Sequence, residues 1–371
     1  MSPAHREQPL RVAVLTGPFT ATYNAQLTSL RERTGATVEI VYQQAVPGAP
    51  YDDGAFPALE GALAWANHIP ATRVREVVER FTPDVLLVTS WNYGAYVRIA
   101  RFWRKRALRV MIMDNPWRST PKQWGGVAIS RLYLQPAFDV AFLPNERQRV
   151  FARKLGFNGE TIWDGVYCCD QPRFEVDRSA WTAEPRSFLY VGRLVESKGV
   201  DLLLRAYAAY RHRVEDPWPL HIAGAGDLEA AAARAEGVVT LGFQQPPTLP
   251  QIFASAGCFV LPSIVEPWGI VLHEAAASSL PIICTTACGA SDDLVHQENG
   301  ITVRPGDVSA LTEALMRVST MPTEQRRAMG HASVRLSRQL TPQRWADGFD
   351  QRARAWLTGP GRSVPLAGRA R

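Results

Sequence analysis

Several things are missing from this 371-residue chain. No apolar run approaches the ~20 residues of a bilayer span, so no membrane-crossing helix is expected. Five cysteines, Cys168, Cys169, Cys258, Cys284 and Cys288, are odd in number and have no CxxC spacing. That argues against a disulfide framework or a zinc site and for a reducing compartment. The seven histidines show no ligand spacing, and no bound metal is expected. GxSxG and HExxH are absent, which removes the hydrolase elbow and the zinc-protease helix. There is no repeat of fixed short period. The first residues, MSPAHREQPLRVAVLTG, lack a signal-peptide layout, because their apolar run is short and strand-like. A cytoplasmic location is expected, with the inner face of the membrane as the peripheral variant.

What is present fits a globular protein of about two domains, with 46% apolar and 20% charged residues. The net charge is +6, and +5 of it falls in residues 1–180. The densest basic stretch, RIARFWRKRALR (98–109), interleaves Phe102 and Trp103 with Arg98, Arg101, Arg104, Lys105, Arg106 and Arg109. It reads either as a solvated helix face or as a patch for an anionic membrane or acceptor. No nucleic-acid motif accompanies the charge, so no nucleic-acid partner is expected.

Short apolar runs alternate with longer amphipathic ones. RVAVLTG, TVEIVY, DVLLVTS, LRVMIMD and FDVAFLP read as strands in the first half. SFLYVG, PLHIAG, VVTLG, CFVLP, PIICT and GITVR do so in the second. Helical patterns between them imply βαβ units and parallel sheets. The rhythm breaks in the polar stretch 168–186. The expected architecture is therefore α/β, with two doubly wound, Rossmann-like parallel-sheet domains facing a cleft. The first domain spans 1–175, a linker 176–186 and the second domain 187–340. Three helical stretches close the chain near 307–319, 322–336 and 341–357, the last packing back on the first domain, before a mobile tail at 359–371.

Three stretches carry chemistry. In YVGRLVESKGVDLLLRAY (190–207), Arg193 and Lys198 follow a strand that ends at Gly192 and precede a helix. They suit a phosphate group beside oriented backbone N–H donors, or simply a basic surface loop. In PLHIAGAGDLEAAAARAEG, Gly224 and Gly226 follow a strand, but Glu229 stands where a dinucleotide fingerprint needs its third glycine. These glycines suit a tight turn or a close backbone approach. In EPWGIVLHEAAASSLPIICTT (266–286), Glu266 sits in the loop after a strand, Pro267-Trp268-Gly269 turn, and Glu274 lies in the second turn of a helix. A carboxylate accepts two charge-assisted hydrogen bonds from a vicinal diol, and the helix start offers N–H groups to a diphosphate. His273 beside Glu274 reads as a packing residue rather than a base.

Taken in order at this spacing, these motifs resemble the donor-binding domain of retaining GT-B glycosyltransferases of family four, also called group 1. The resemblance covers residues 187–320. It implies transfer of a sugar from a nucleoside diphosphate sugar, UDP- or GDP-linked, with retention at the anomeric carbon. It also implies that no cofactor is needed. Arg193 and Lys198 would contact the diphosphate, Glu274 the ribose and Glu266 hydroxyls of the transferred sugar. Pro267, Trp268, Gly269 and Ile270 would line sugar and phosphates, with Leu241 to Phe243 near the base. Gly192, Gly224 and Gly17 would take the family's glycine positions. The chain has no D-x-D, the metal motif of GT-A transferases. Arg193, Lys198 and the helix start near Gly269 would do the electrostatic work instead. Closure across the linker would exclude water.

The sequence also departs from the family pattern. Ser279 stands where glycine is common, Trp268 where Phe or a small residue is frequent, and GPFT (17–20) offers only Gly17 of a usual pair. MDNPW places Asp114 and Asn115 where a histidine often sits. Asp114 then becomes the candidate to orient or deprotonate the acceptor; a capping or salt-bridge role is the other reading. The acceptor class is a lipid-linked saccharide, a polysaccharide or a small metabolite. Two rival functions remain open, a sugar-nucleotide epimerase of the same architecture and a nucleotide-sugar binding protein without transfer. A NAD dehydrogenase is disfavoured by the broken glycine pattern.

Overall fold

The computed structural model describes residues 8–43, 50–65, 70–176 and 185–359. Most of the linker 176–186 and of the tail 359–371 therefore lies outside the described residues.

The chain divides into two compact units, one of residues 1–45, 56–166 and 342–371, the other of residues 46–55 and 167–341. Unit 1 holds strands β1 (Arg11–Pro18), β2 (Thr37–Gln43), β3 (Leu63–Ala64), β4 (Val85–Val88), β5 (Leu108–Ile112), β6 (Val140–Leu143) and β7 (Ile162–Asp164). They form one sheet in the order β3-β2-β1-β4-β5-β6-β7, every pair parallel. Unit 2 holds β8 (Phe188–Val191), β9 (Leu220–Ala223), β10 (Val238–Gly242), β11 (Cys258–Leu261), β12 (Ile282–Thr285) and β13 (Gly300–Val303). These pair, again in parallel, as β10-β9-β8-β11-β12-β13. Each unit is thus a doubly wound, Rossmann-like sheet.

The reason is visible in the strands. VLLV, LRVMI, FLYV and CFVL are buried along their whole length. Strands covered on both faces by helices have no polar alternation to keep. Local signals set the helix ends: Gly35 closes Ala21–Thr34 in the left-handed region (φ 71°), and Asp307 caps Val308–Thr320 by accepting from the Ala310 N–H at 2.9 Å. The short strands β3 and β7 carry no readable sequence pattern and are added by pairing to existing sheet edges.

Two segments fall outside the expected partition. Residues 167–176 pack into unit 2 rather than closing the first domain: Cys169 and Phe174 are part of its core, and the Ser278 hydroxyl donates to the Phe174 carbonyl. Residues 50–55 also group with unit 2, although unit 1 flanks them in sequence. The final helix, Pro342–Thr358, belongs to unit 1. Trp345 and Phe349 stack on Phe142 of β6 at centroid distances of 6.5 and 6.4 Å. No helix among the described residues is long and apolar enough to cross a membrane.

Candidate functional site

In a doubly wound sheet the strand order reverses at one point, and the loops after the two strands there diverge to leave a crevice. In unit 2 that point lies between β8 and β11. The loop after β8 carries Arg193 and Lys198, and the loop after β11 carries Glu266. The topology thus brings together residues about seventy positions apart.

The two loops are stitched directly. The Ile264 and Val265 N–H groups both donate to the Ser197 carbonyl at 3.0 Å. Gly199 begins the helix Val200–Arg211 at φ 68°, and a Cβ there would lie 2.2 Å from the Pro262 carbonyl oxygen. Lys198 Nζ then reaches Glu266 Oε2 at 2.5 Å, both side chains largely buried. Ser263 Oγ adds a longer donor to the same oxygen at 3.4 Å. Arg193, by contrast, is exposed, and its carbonyl accepts from the Tyr190 hydroxyl at 2.8 Å.

The turn after Glu266 is fixed from the other side. Gly289 N–H donates to the Glu266 carbonyl (3.1 Å) and Ala290 N–H to that of Trp268 (2.8 Å). Gly269 sits at φ 93° and caps the helix Ile270–Ala277. Trp268 does not line an open surface. It is 4% exposed within the core, 6.1 Å from the Tyr167 ring, and its Nε1 has no partner among the described residues.

Glu274 is 5% exposed, and its Oε2 is buried without a hydrogen-bond partner among the described residues. Burial, helped by the nearby Asp170 charge, pushes its carboxyl up to about 8. An orphaned buried carboxylate oxygen is costly and needs an explanation. Its neighbour His273 is fully engaged: Nδ1 accepts from the Cys169 N–H at 3.0 Å, and Nε2 lies 3.0 Å from the Ser337 carbonyl. An N–H only donates and a carbonyl only accepts, so the ring is the neutral Nε2–H tautomer. Burial agrees, lowering its pKa to about 4.

Gly224 and Gly226 make room for backbone rather than side chains. A Cβ on Gly224 would lie 1.8 Å from the Gly192 carbonyl oxygen, and one on Gly226 2.6 Å from that of Leu194. Leu194 N–H donates to the Ala225 carbonyl at 2.9 Å, and Gly192 N–H to that of Ala223 at 3.0 Å. The glycine pair thus holds the Arg193 loop down. Leu241 is the penultimate residue of β10, and its carbonyl accepts from Gln244 Nε2; Phe243 follows the strand.

One residue here had no sequence signal. Tyr51 stands against Phe243, ring centroids 5.6 Å apart. Gln245 clips the strap on both sides: its Oε1 accepts from the Asp52 N–H (3.1 Å) and its Nε2 donates to the Pro50 carbonyl (2.9 Å). The Tyr51 hydroxyl is raised by burial and by the charge of Glu274, while Arg193 acts in the opposite sense. It is therefore within electrostatic reach of both. A lone tyrosine in a Pro/Gly-rich loop has no period, so only the fold could reveal it.

The two remaining sequence candidates lie in unit 1. Gly17, near the carboxyl end of β1, donates its N–H to Ser90 Oγ at 2.8 Å, and a Cβ there would meet that same oxygen at 2.8 Å. Asp114 follows β5, and its carbonyl accepts from Gln148 Nε2 at 3.1 Å. The basic stretch 98–109 divides on folding. Trp103 and Arg109 are buried, Arg109 in a bidentate pair with Asp139. Phe102 meets the guanidinium groups of Arg75 and Arg106 at 3.9 and 4.6 Å.

Residues 173–335 match the family model described as glycosyl transferases group 1. Its two parallel-sheet units have the GT-B fold. Among curated proteins, it is 33% identical over 265 residues to a Methanocaldococcus jannaschii protein described as an uncharacterized glycosyltransferase, covering 68% of this chain and 64% of that one. It is 32% identical over 160 residues to a glycogen synthase of Mycobacterium tuberculosis, covering 41% and 38%. The chain thus spans less than two thirds of either relative's length. Among solved structures, it superposes on Anabaena HepE in complex with UDP and glucose with a TM-score of 0.72 at 15% identity, over 92% of this chain and 98% of that one. It superposes on sucrose-phosphate synthase of Thermosynechococcus elongatus with a TM-score of 0.68 at 17% identity, over 93% and 98%.

Proposed function

We propose that the protein transfers a sugar from a nucleoside diphosphate sugar to an acceptor, with retention at the anomeric carbon and without a metal ion. The observation that carries the reading is Glu274. A carboxyl group buried to 5% exposure, with one oxygen lacking a partner among the described residues, suits a ligand that brings its own donors. A ribose diol brings two hydroxyls.

The other roles follow from placement. Arg193 and Lys198 meet the diphosphate, whose charge grows as the glycosidic bond to it breaks; preorganised cations lower that barrier. The helix beginning after Gly269 adds backbone donors. Glu266, held by Lys198, takes hydroxyls of the transferred sugar. Leu241 and Phe243 stand at the base, and Tyr51 joins them. Asp114 orients or deprotonates the acceptor hydroxyl. A UDP-sugar is the first donor to test, because the similar HepE structure holds UDP and glucose. The acceptor is a glycan or a lipid-linked saccharide.

The test is turnover and product mass with UDP- and GDP-sugars. Glu274→Ala and Lys198→Ala should each nearly abolish transfer while melting like the parent. Normal rates in both would sink the proposal. A released free sugar, an epimer or binding alone would reassign the site to hydrolysis, epimerisation or recognition.

A further inference from the structure

The helix Pro121–Tyr133 in unit 1 is built inside out. Of its thirteen residues the buried one is a serine, Ser130, whose hydroxyl donates to the Val127 carbonyl. Its solvent stripe at helical spacing is Gly125, Ala128, Ile129 and Leu132, all exposed. Leu132 is 80% exposed and Ile129 56%. A soluble helix normally shows the reverse. At the margins, Trp124 leans on Trp117 at 5.0 Å, and Tyr133 sits beneath the Arg101 guanidinium.

The charge around this stripe has one sign. Residues 94–133 contain nine Lys/Arg and one carboxylate, Asp114. Eight of the nine, all but Arg109, are exposed. Arg101, in the helix Gly94–Phe102, ties that helix to Pro121–Tyr133 by donating to the Leu132 and Tyr133 carbonyls at 2.7 and 3.2 Å, so Arg98 and Arg101 stand beside the apolar stripe. A second copy of this chain would bring the same positive field and be repelled. A phosphodiester chain would leave the leucine and isoleucine in water. An anionic bilayer satisfies both features, taking the apolar side chains below its headgroups and the cations at them.

We infer that the helix Pro121–Tyr133, with the exposed cations of 98–106 and Arg131, is a docking face for an anionic lipid surface. This moves the contact away from Phe102 and Trp103, whose rings are used inside the unit. It deepens the lipid-linked acceptor reading above. Vesicle binding needs neither donor nor acceptor, so its failure would leave the donor site standing.

The experiment is cosedimentation of the full chain with phosphatidylcholine vesicles, with and without phosphatidylglycerol. Binding is expected only with phosphatidylglycerol and should weaken as salt rises. Ile129→Glu with Leu132→Glu should reduce it more than about tenfold. Arg98→Gln with Arg131→Gln should cost about fivefold per cation. Both variants should keep the parent melting temperature, since none of these side chains is buried. Equal binding to neutral vesicles, or parent-like binding by the Ile129/Leu132 variant, would overturn the inference. So would a dimer in sedimentation equilibrium that the same variant dissolves.

Discussion

Glu274 shows how burying one carboxyl group ties the stability of the fold to pH. Its folded pKa, about 8, lies above the ordinary carboxylate value. The folded state therefore holds a proton that the unfolded chain releases near 4.5. The stability tied to that proton is complete below pH 4.5 and is lost as pH rises through 8. Glu274→Gln removes the titration. Relative to the parent, it should gain stability on the order of 3 kcal/mol between pH 5 and 8, while kcat/KM falls about 100-fold or more from the lost charge-assisted bonds. Denaturant melts at the two pH values check the first half. A pH-independent difference would mean that the carboxylate is solvated. The motif was legible in the sequence because its residue types and spacing are local. The missing partner was not, since it depends on what Cys169, Asp170 and the rest of unit 2 place around the helix.

At the scale of elements, the strands other than β3 and β7 were legible to within a few residues, because burial on both faces writes uninterrupted apolar runs. Contacts between elements were not. The departure at Ser279 is an instance. The residue sits at φ 59°, the left-handed region that favours glycine. Its carbonyl oxygen would lie 2.4 Å from a Cβ on Gly330, in the helix Thr323–Ser337. The glycine after β9 gives the sharper test. Gly224→Ala forces its Cβ into the Gly192 carbonyl and should destabilise unit 2 by more than about 2 kcal/mol. Gly348→Ala has no neighbour within 4 Å and lies inside the helix Pro342–Thr358. It should stabilise by roughly 0.5–1 kcal/mol. Chemical denaturation of both variants measures the contrast; equal effects would refute the packing argument.

At the scale of the molecule, the donor-site candidates other than Gly17 and Asp114 all lie in unit 2. UDP should therefore raise the thermal transition of that unit, by about 5–10 °C at a hundredfold excess over Kd. Tyr51→Ala should shrink the shift and leave the transition without ligand near its parent value, because the residue is only partly buried. A shift unchanged by that substitution would remove Tyr51 from the site. Scanning calorimetry reads both. The sequence by itself determined the alternation of strands and helices, the two sheets and the ordered Arg193, Lys198, Glu266 and Glu274 motif. Each of these is written in nearby residues. Only the tertiary structure decided which loops meet, because parallel pairing across the β8–β11 switch joins segments far apart in the chain. It also decided that Tyr51 packs against Phe243, that Trp268, Trp103 and Arg109 are interior, and that Pro121–Tyr133 turns its leucine and isoleucine to solvent. Burial is a property of what surrounds a residue, and no local pattern records it.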